Sequence, residues 1–300
     1  MVVLFNKRAV KYITLVITVI FIFSMSIALV KTITTDGFNA TEPAPISKDG
    51  IEVPIVMYHS IMKKSKQMGK YVITPTELEN DLIYLKNHGY TSINMTELIN
   101  YVYNDGQLPP KPVIITFDDG NLNNYIYGKP LLQKYEMKAV ISIIGNYSEA
   151  FSSSPAPTSD PNYAHVSWDQ IKEMSDSGYF EIQNHTYSLH SITKKRNGAK
   201  RNKGESLENY KNVLFKDVAK LQDKLTEVTG IKPNTFTYPY GAISKESKDM
   251  LKEMGFQASL SCFEGVNIIN KNKPDILFSL KRNNRPHGVS SENFFKKLCT

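Results

Sequence analysis

The fold is decided by a short β-branched run that ends in two carboxylates and a glycine: Pro112-Val113-Ile114-Ile115-Thr116-Phe117-Asp118-Asp119-Gly120. Its apolar part has the character of a buried strand. Because neighbouring side chains of a strand point to opposite faces, Asp118 and Asp119 are expected to have different roles if the extended geometry continues. Two adjacent carboxylates also raise each other's pKa unless a cation neutralises them. The same residues are typical of a solvated turn, so the rest of the chain must decide between a turn and a site.

A pattern of helix, glycine, aromatic residue and strand occurs at Gly89-Tyr90, Gly178-Tyr179 and Gly255-Phe256. A glycine at a helix end adopts the left-handed conformation at low cost. Alternating units of this kind predict an α/β fold with a mostly parallel sheet and outer helices. Functional groups of such folds gather at the carboxyl ends of the strands, which favours a site over a turn. The polar residues that follow strand-like runs are His59, Asp118, Asp119, His185 and Tyr240.

Apolar spacing and capping residues predict the individual helices. Thr76 and Glu79 form a capping box for a helix over residues 76–88. A long amphipathic helix is predicted over residues 207–228, whereas residues 146–166 are rich in Ser, Pro and Asn and are predicted to form a surface excursion.

The N-terminal part of the chain is set apart by composition. Three basic residues precede an uncharged run over residues 12–30, which at about 1.5 Å rise per residue nearly spans a bilayer core of about 30 Å. Residues 1–11 are therefore predicted to be cytoplasmic, 12–30 a transmembrane signal anchor, 31–50 a linker, and 51–300 an extracellular domain. A cleaved signal peptide with a secreted product is the alternative.

The composition narrows the range of partners. The net charge of +7 is mild and spread along the chain, so nucleic-acid binding is not implied. A basic surface suits an anionic matrix such as a bacterial wall. The basic loop, residues 194–203, is predicted to be a solvated charged loop, with a clamp for an anionic polymer as the alternative. Cys262 and Cys299 lie far apart and match no metal-ligand spacing.

A second motif, Asn184-His185-Thr186-Tyr187-Ser188-Leu189-His190, contains two histidines. Their spacing differs from the i, i+4 spacing of a zincin helix and suits a loop that turns back so that both imidazoles meet one ion. Together with Asp119 they make a His-His-Asp set, which leaves positions for water and substrate on a catalytic ion. Two hydrogen-bonded surface histidines are the alternative for the pair alone.

These motifs resemble those of the NodB-type polysaccharide deacetylases, carbohydrate esterase family 4. The matching stretches are Thr116-Phe117-Asp118-Asp119-Gly120, His185-Thr186 with His190, and Phe236-Thr237-Tyr238-Pro239-Tyr240-Gly241. The opening Val53-Pro54-Ile55-Val56-Met57-Tyr58-His59 resembles the branch that includes poly-N-acetylglucosamine deacetylases. The resemblance covers roughly residues 51–300. It implies a distorted (β/α) barrel of the NodB type and metal-dependent N-deacetylation of an extracellular N-acetylglucosamine polymer, peptidoglycan or poly-N-acetylglucosamine, with release of acetate.

The resemblance also implies roles for single residues. Asp118 is implied as the general base, and the backbone N–H of Tyr240 as an oxyanion donor, although the Tyr240 side chain is equally interpretable as a packing aromatic. His59 is implied to lie near the metal as a catalytic residue, with a satisfied histidine under the barrel rim as the alternative. The implied ligands of a divalent metal, usually Zn2+ with Co2+, Ni2+ or Fe2+ as alternatives, are Asp119, His185 and His190.

Some family features are altered in this chain. Thr237 stands where many relatives have an arginine that pairs with the base. The aspartate-tryptophan motif has no match, because the single tryptophan, Trp168, belongs to an early helix. The late leucine-x-histidine motif is not evident, and His287 is a candidate substitute for its general acid. Two other functions therefore stay open: a non-catalytic glycan-binding module on a degenerate scaffold, and an O-deacetylase or amidase of different specificity.

Overall fold

The computed structural model describes residues 50–64, 66, 68–154, 160–194 and 196–298. They belong to a unit that spans Ala40–Thr300. The predicted cytoplasmic segment and signal anchor, and all of the predicted linker except Gly50, lie outside the described residues. Within the ranges described, no helix combines the length and apolar character needed to cross a membrane.

Strands and helices alternate through the middle of this unit, between Val72 and Leu260. The strands are β1 (Ile51–Val53), β2 (Ile55–Tyr58), β3 (Ser60–Ile61), β4 (Val72–Ile73), β5 (Thr91–Ser92), β6 (Pro112–Phe117), β7 (Ala139–Ile143), β8 (Phe180–Asn184), β9 (Thr235–Thr237), β10 (Ala258–Leu260), β11 (Asn267–Ile269) and β12 (Asn283–Asn284). The α-helices are α1 (Pro75–Asn87), α2 (Met95–Tyr103), α3 (Lys129–Tyr135), α4 (Gly145–Ser153), α5 (Trp168–Asp176), α6 (Leu207–Thr229), α7 (Ser247–Glu253) and α8 (Ser291–Phe295).

The main sheet is parallel throughout. Its strands lie in the order β10-β9-β8-β7-β6-β2-β12, and β5 pairs with the start of β6. Leu280, just before β12, forms a parallel bridge with Leu260 of β10. The segment from Leu280 to Asn284, here called the closing tail, therefore joins the two ends of the sheet. The predicted α/β fold with a mostly parallel sheet and helices is confirmed, and the closing tail gives the sheet the form of a barrel.

One face of β6 packs beneath the outer helices. Val113, Ile115 and Phe117 belong to a buried apolar cluster that also contains Leu78 and Leu82 of α1. Burying side chains of this size contributes roughly 1.5–3 kcal/mol each. Strand β6 is buried on both faces, which explains why its sequence reads as a continuous apolar run.

The other face of β6 changes from apolar to polar toward its carboxyl end. Ile114 belongs to a second buried apolar cluster. Thr116 follows on the same face and donates its hydroxyl hydrogen to a backbone carbonyl of β2 at 2.8 Å. The hydroxyls of Ser142 on β7 and Thr237 on β9 are also buried, and they lie 2.7 Å apart. The interior is therefore polar directly beneath the residue that comes next on this face, Asp118.

The structure contradicts some of the predicted helix boundaries and confirms others. The capping box of α1 is formed by Thr74 and Glu77, so the prediction of Thr76 and Glu79 was wrong. Both pairs have the same spacing, and Pro75 at the first helical position favours the earlier one. The excursion predicted over residues 146–166 was wrong in its first half, which α4 occupies. The three glycines predicted to end helices all have a left-handed φ, at Gly89, Gly178 and Gly255.

Candidate active site

The two aspartates are separated by a turn. Strand β6 ends at Phe117, and the Asp118 N–H still donates to the Tyr58 carbonyl at 3.0 Å. Asp119 and Gly120 then adopt left-handed φ values of 74° and 69°. The expected extended geometry therefore fails at Asp119, and the turn, instead of the strand pleat, directs the two carboxylates apart. An added Cβ at Gly120 would lie 3.0 Å from the Ile143 Cδ1 atom, so this strained position has little room for a side chain.

Asp119, His185 and His190 converge. Each offers one ligand atom, and these atoms lie within 4.8 Å of one another. The Nε2 atoms of His185 and His190 lie 3.5 Å and 3.2 Å from the Oδ1 atom of Asp119. His185 follows β8 directly, whereas His190 returns on the loop after it. The sequence motif therefore brings together two histidines that no regular element connects.

A hydrogen bond to the Nδ1 side of His185 determines which ring nitrogen faces Asp119. Its Nδ1–H donates to the Thr237 carbonyl at 2.8 Å, so Nε2 is the nitrogen left to face Asp119 and to offer a lone pair to a metal ion. The Asp119 Oδ1 atom is buried and has no hydrogen-bond partner in the described part of the chain. Lone pairs that face a carboxylate oxygen repel it unless a proton or a cation lies between them. Two imidazoles and one carboxylate are a donor set that divalent zinc and related ions bind with positions left open, so these residues fit a metal.

Asp119 is ionised in this arrangement. Burial by itself raises the pKa of its carboxyl, but a proton on the facing Nε2 atoms of His185 and His190 outweighs burial and holds that pKa well below its ordinary range, as a metal ion in the same place would. The group is therefore a carboxylate at neutral pH, which is the form that binds a metal.

The loop between the two histidines is fixed by a residue that the sequence analysis missed. The two carboxylate oxygens of Asp217, on α6, accept the backbone N–H groups of Tyr187 and Ser188, each at 2.8 Å. The signal was present in the sequence. Asp217 lies three residues after Leu214 and four before Leu221, so an acidic side chain stands on the apolar face of the helix.

Asp118 forms a buried ion pair with Arg282, the second residue that the sequence analysis missed. The guanidinium donates from Nη1 to Oδ1 at 2.7 Å and from Nη2 to Oδ2 at 2.8 Å. Arg282 Nε donates to the Ser261 carbonyl at 2.8 Å, which fixes the guanidinium plane. Asp118 and Arg282 are 2% and 0% exposed. The arginine that Thr237 replaces in the third motif is thus supplied by the tail that closes the sheet.

The pair keeps Asp118 ionised. Burial alone raises the pKa of Asp118, but the charge and hydrogen bonds of Arg282 outweigh burial and lower that pKa below its ordinary value. The Asp118 carboxylate lies beside Asp119, His185 and His190 but is not one of these three convergent residues. It can therefore accept a proton.

Replacing Arg282 with methionine is expected to lower the free energy of unfolding by about 3–5 kcal/mol, because Asp118 is left buried and unpaired. Urea unfolding of R282M, D118N and the double variant would measure this. The double variant should be more stable than the sum of the single effects predicts, since no unpaired charge remains. Strictly additive effects would contradict an energetic coupling between the two side chains.

His59 lies beside the aspartates. Burial lowers its pKa, and the negative charges of Asp118 and Asp119 only partly offset this, so the ring is neutral at pH 7. Its Nδ1 atom is buried and has no hydrogen-bond partner among the described residues. The Tyr71 ring packs against it edge-on, with centroids 4.8 Å apart. The alternative of a satisfied histidine under the rim therefore does not describe His59.

Tyr240 lies on the turn after β9. Its φ of 58° is left-handed, and within the described residues its backbone N–H donates to no other group. The Tyr240 ring packs on His190 with centroids 4.5 Å apart, and its hydroxyl lies 3.2 Å from His190 Nδ1. The side chain thus has a packing role, while the backbone donor is unpaired.

The remaining candidates lie elsewhere. His287 Nδ1 lies 2.8 Å from Glu77 Oε2 at the start of α1, so the structure does not bring this histidine into the Asp119 cluster. Trp168, on α5, packs in a buried apolar cluster, and its indole N–H donates to Glu149. Cys262 has no disulfide partner among the described residues, and Cys299 lies outside them.

Comparisons with known proteins agree with this geometry. A family model described as polysaccharide deacetylase matches residues 105–259, which include both aspartates, both histidines and the Tyr240 turn. The poly-beta-1,6-N-acetyl-D-glucosamine N-deacetylase of Staphylococcus aureus is 26% identical over 291 residues, 90% of this chain and 92% of the relative. The protein of that name from Staphylococcus epidermidis is 28% identical over 204 residues, 68% of this chain and 66% of the relative. The solved structure of IcaB from Ammonifex degensii superposes with a TM-score of 0.63 at 26% identity, covering 79% of this chain and 93% of that one.

Proposed function

Because the chain belongs to the polysaccharide deacetylase family, we propose that it removes N-acetyl groups from a poly-N-acetylglucosamine-type polysaccharide and releases acetate. It is a hydrolase of carbon–nitrogen bonds, a polysaccharide N-deacetylase, and the resemblance seen in its motifs is confirmed. The named substrate of the staphylococcal relatives supports the choice of polymer. The observation that carries the proposal is the Arg282-bound Asp118 carboxylate beside the convergent Asp119, His185 and His190.

The proposal includes a divalent metal held by Asp119, His185 and His190, with Zn2+ as the first choice and Co2+, Ni2+ or Fe2+ as alternatives. The unpaired Asp119 Oδ1 atom and the Nε2 atom of His185, which faces it while Nδ1 is bonded to the Thr237 carbonyl, support it. A metal bound there would polarise the acetyl carbonyl and acidify a water molecule.

The protein's own groups handle the protons and the developing charge. Asp118 takes a proton from the water that attacks the acetyl carbon, and Arg282 orients the carboxylate through both of its oxygens. The unpaired N–H of Tyr240 stabilises the negative charge that develops on the acetyl oxygen. When the carbon–nitrogen bond breaks, the leaving amine must gain a proton. We propose that neutral His59 relays that proton from Asp118 to the amine, and its lowered pKa and the nearby charges of both aspartates support this role.

The proposed location is the outer face of a membrane. Residues 12–30 would anchor the chain with the catalytic domain outside, and a secreted product is the alternative. The uncharged run and the basic residues before it support this proposal. Each acetate released leaves a free amine, so the polymer becomes more cationic.

Acetate release from purified poly-β-1,6-N-acetylglucosamine and from purified peptidoglycan, each with and without a chelator, tests the function. We expect release from the first polymer, loss of release with chelator and recovery after Zn2+ is added. Faster release from peptidoglycan would contradict the proposed substrate. Binding of both polymers without any acetate release, in the presence of Zn2+, would favour a non-catalytic glycan-binding module.

A further inference from the structure

The basic loop is folded against the protein through its arginines. Arg196 Nη2 lies 2.5 Å from Glu205 Oε1, and its Nη1 donates to the Lys200 carbonyl at 3.0 Å. Arg201 donates to Glu246 at 2.7 Å, at the start of α7, and its Nε and Nη2 donate to the Glu205 carbonyl. Both guanidinium groups therefore bind other groups of the protein. The prediction of a solvated charged loop was wrong for Arg196 and Arg201.

Within the basic loop, Gly198 lies directly against the turn that carries Tyr240. An added Cβ at Gly198 would lie 2.9 Å from the Pro239 carbonyl oxygen, 3.2 Å from Pro239 Cβ and 3.4 Å from Tyr240 Cδ2. The Gly198 N–H donates to the Ser191 carbonyl at 3.0 Å, so the same backbone also returns to the residue after His190. No side chain fits between the loop and the turn.

The segment around Gly198 is fixed from its other side. Ala199 is fully buried, and its carbonyl accepts the Tyr210 hydroxyl of α6 at 2.9 Å. The Arg201 N–H donates to the Ser244 hydroxyl at 2.8 Å. Because the loop is bound to α6 and to the residues that lead into α7, Gly198 cannot move away from the turn without breaking these bonds.

Tyr240 needs such support. A tyrosine with a φ of 58° is in a strained conformation, which persists only where the surrounding structure enforces it. An oxyanion donor also contributes only when its N–H points at the position of the developing charge. We propose that the basic loop positions the Tyr240 N–H for catalysis, through the Gly198 backbone packed on Pro239. This inference rests on the proposed function, in which that N–H is the donor.

The test compares G198A with G204A in the full chain. Both glycines have a positive φ, +54° and +79°, so both substitutions add backbone strain. Only the Gly198 methyl would press on the turn, since nothing lies within 4 Å of a Cβ at Gly204. For G198A we expect kcat for acetate release to fall by about 10-fold or more with KM and zinc content unchanged, because the donor acts mainly in the transition state. For G204A we expect kcat within about twofold of the unsubstituted chain, and similar losses of Tm in both variants.

Equal kcat values for G198A and G204A would overturn the inference and leave the proposed function standing. Absence of acetate release by the unsubstituted chain in the same assay would instead overturn the proposed function. A second pair avoids placing any new atom against the turn: R201A removes the bonds to Glu205 and Glu246, and K203A removes an exposed neighbouring charge. R201A should lower kcat relative to K203A at constant KM, and equal values would also overturn the inference.

Discussion

Replacing Asp118 with asparagine is expected to lower acetate release by about 10²–10⁴-fold while zinc stays bound. Asparagine has nearly the shape of aspartate, but it cannot take a proton from water. Zinc binding should survive because Asp118 is not one of the three convergent residues and its carboxylate is bound to Arg282. Steady-state acetate release and zinc content of the purified D118N protein are the two measurements.

The chain contains a matched control for this substitution. Asp81 forms a second buried carboxylate–arginine pair, with Arg285, at 2.8 Å and 3.0 Å. D81N and D118N each leave a buried arginine facing an amide, so both variants should lose stability. Only D118N should lose turnover per folded molecule. Turnover of D118N close to that of the unsubstituted chain would rule out Asp118 as the base.

Replacing Asp119 or His185 with alanine is expected to remove both zinc binding and acetate release. Each substitution deletes one of three ligand atoms that lie within 4.8 Å of one another. The binding free energy of a small site depends on every ligand, and an incomplete set does not hold the ion against water. Zinc affinity, measured by calorimetric titration of the metal-free protein, should therefore fall in parallel with activity.

His88 provides the control for the histidine substitution. It is exposed at the end of α1, where its Nδ1 atom lies 2.8 Å from the Tyr84 carbonyl oxygen. H88A should keep both the zinc affinity and the turnover of the unsubstituted chain. Unchanged zinc affinity in H185A would contradict the assignment of this residue as a ligand, whatever its effect on activity.

The convergence of Asp119, His185 and His190 could be predicted because it depends on short motifs at strand ends. A parallel sheet brings the carboxyl ends of its strands to one edge, so residues that follow different strands meet there whatever their separation in sequence. The fold class was predictable for the same reason, since apolar runs, caps and terminal glycines are local signals.

Arg282 could not be predicted from local signals. It lies 164 residues after Asp118, in a tail whose two-residue strand is too short to show a periodic pattern. The left-handed turn at Asp119 was also missed, because the sequence of a strand-like run does not indicate at which residue the extended geometry ends. At the start of α1, two pairs of residues that lie two positions apart match a capping box equally well, and Pro75 at the first helical position favours the earlier pair.

The closing tail also sets the order in which the enzyme becomes complete. Ribosomes make β2, β6, His185 and His190 before they make Leu280, Arg282 and β12. Until those residues dock, the sheet has two open ends and Asp118 has no cation beside it. Closure of the barrel and pairing of the proposed base with its cation therefore depend on the same segment. A growing chain therefore carries all three proposed zinc ligands before it carries the arginine that binds Asp118.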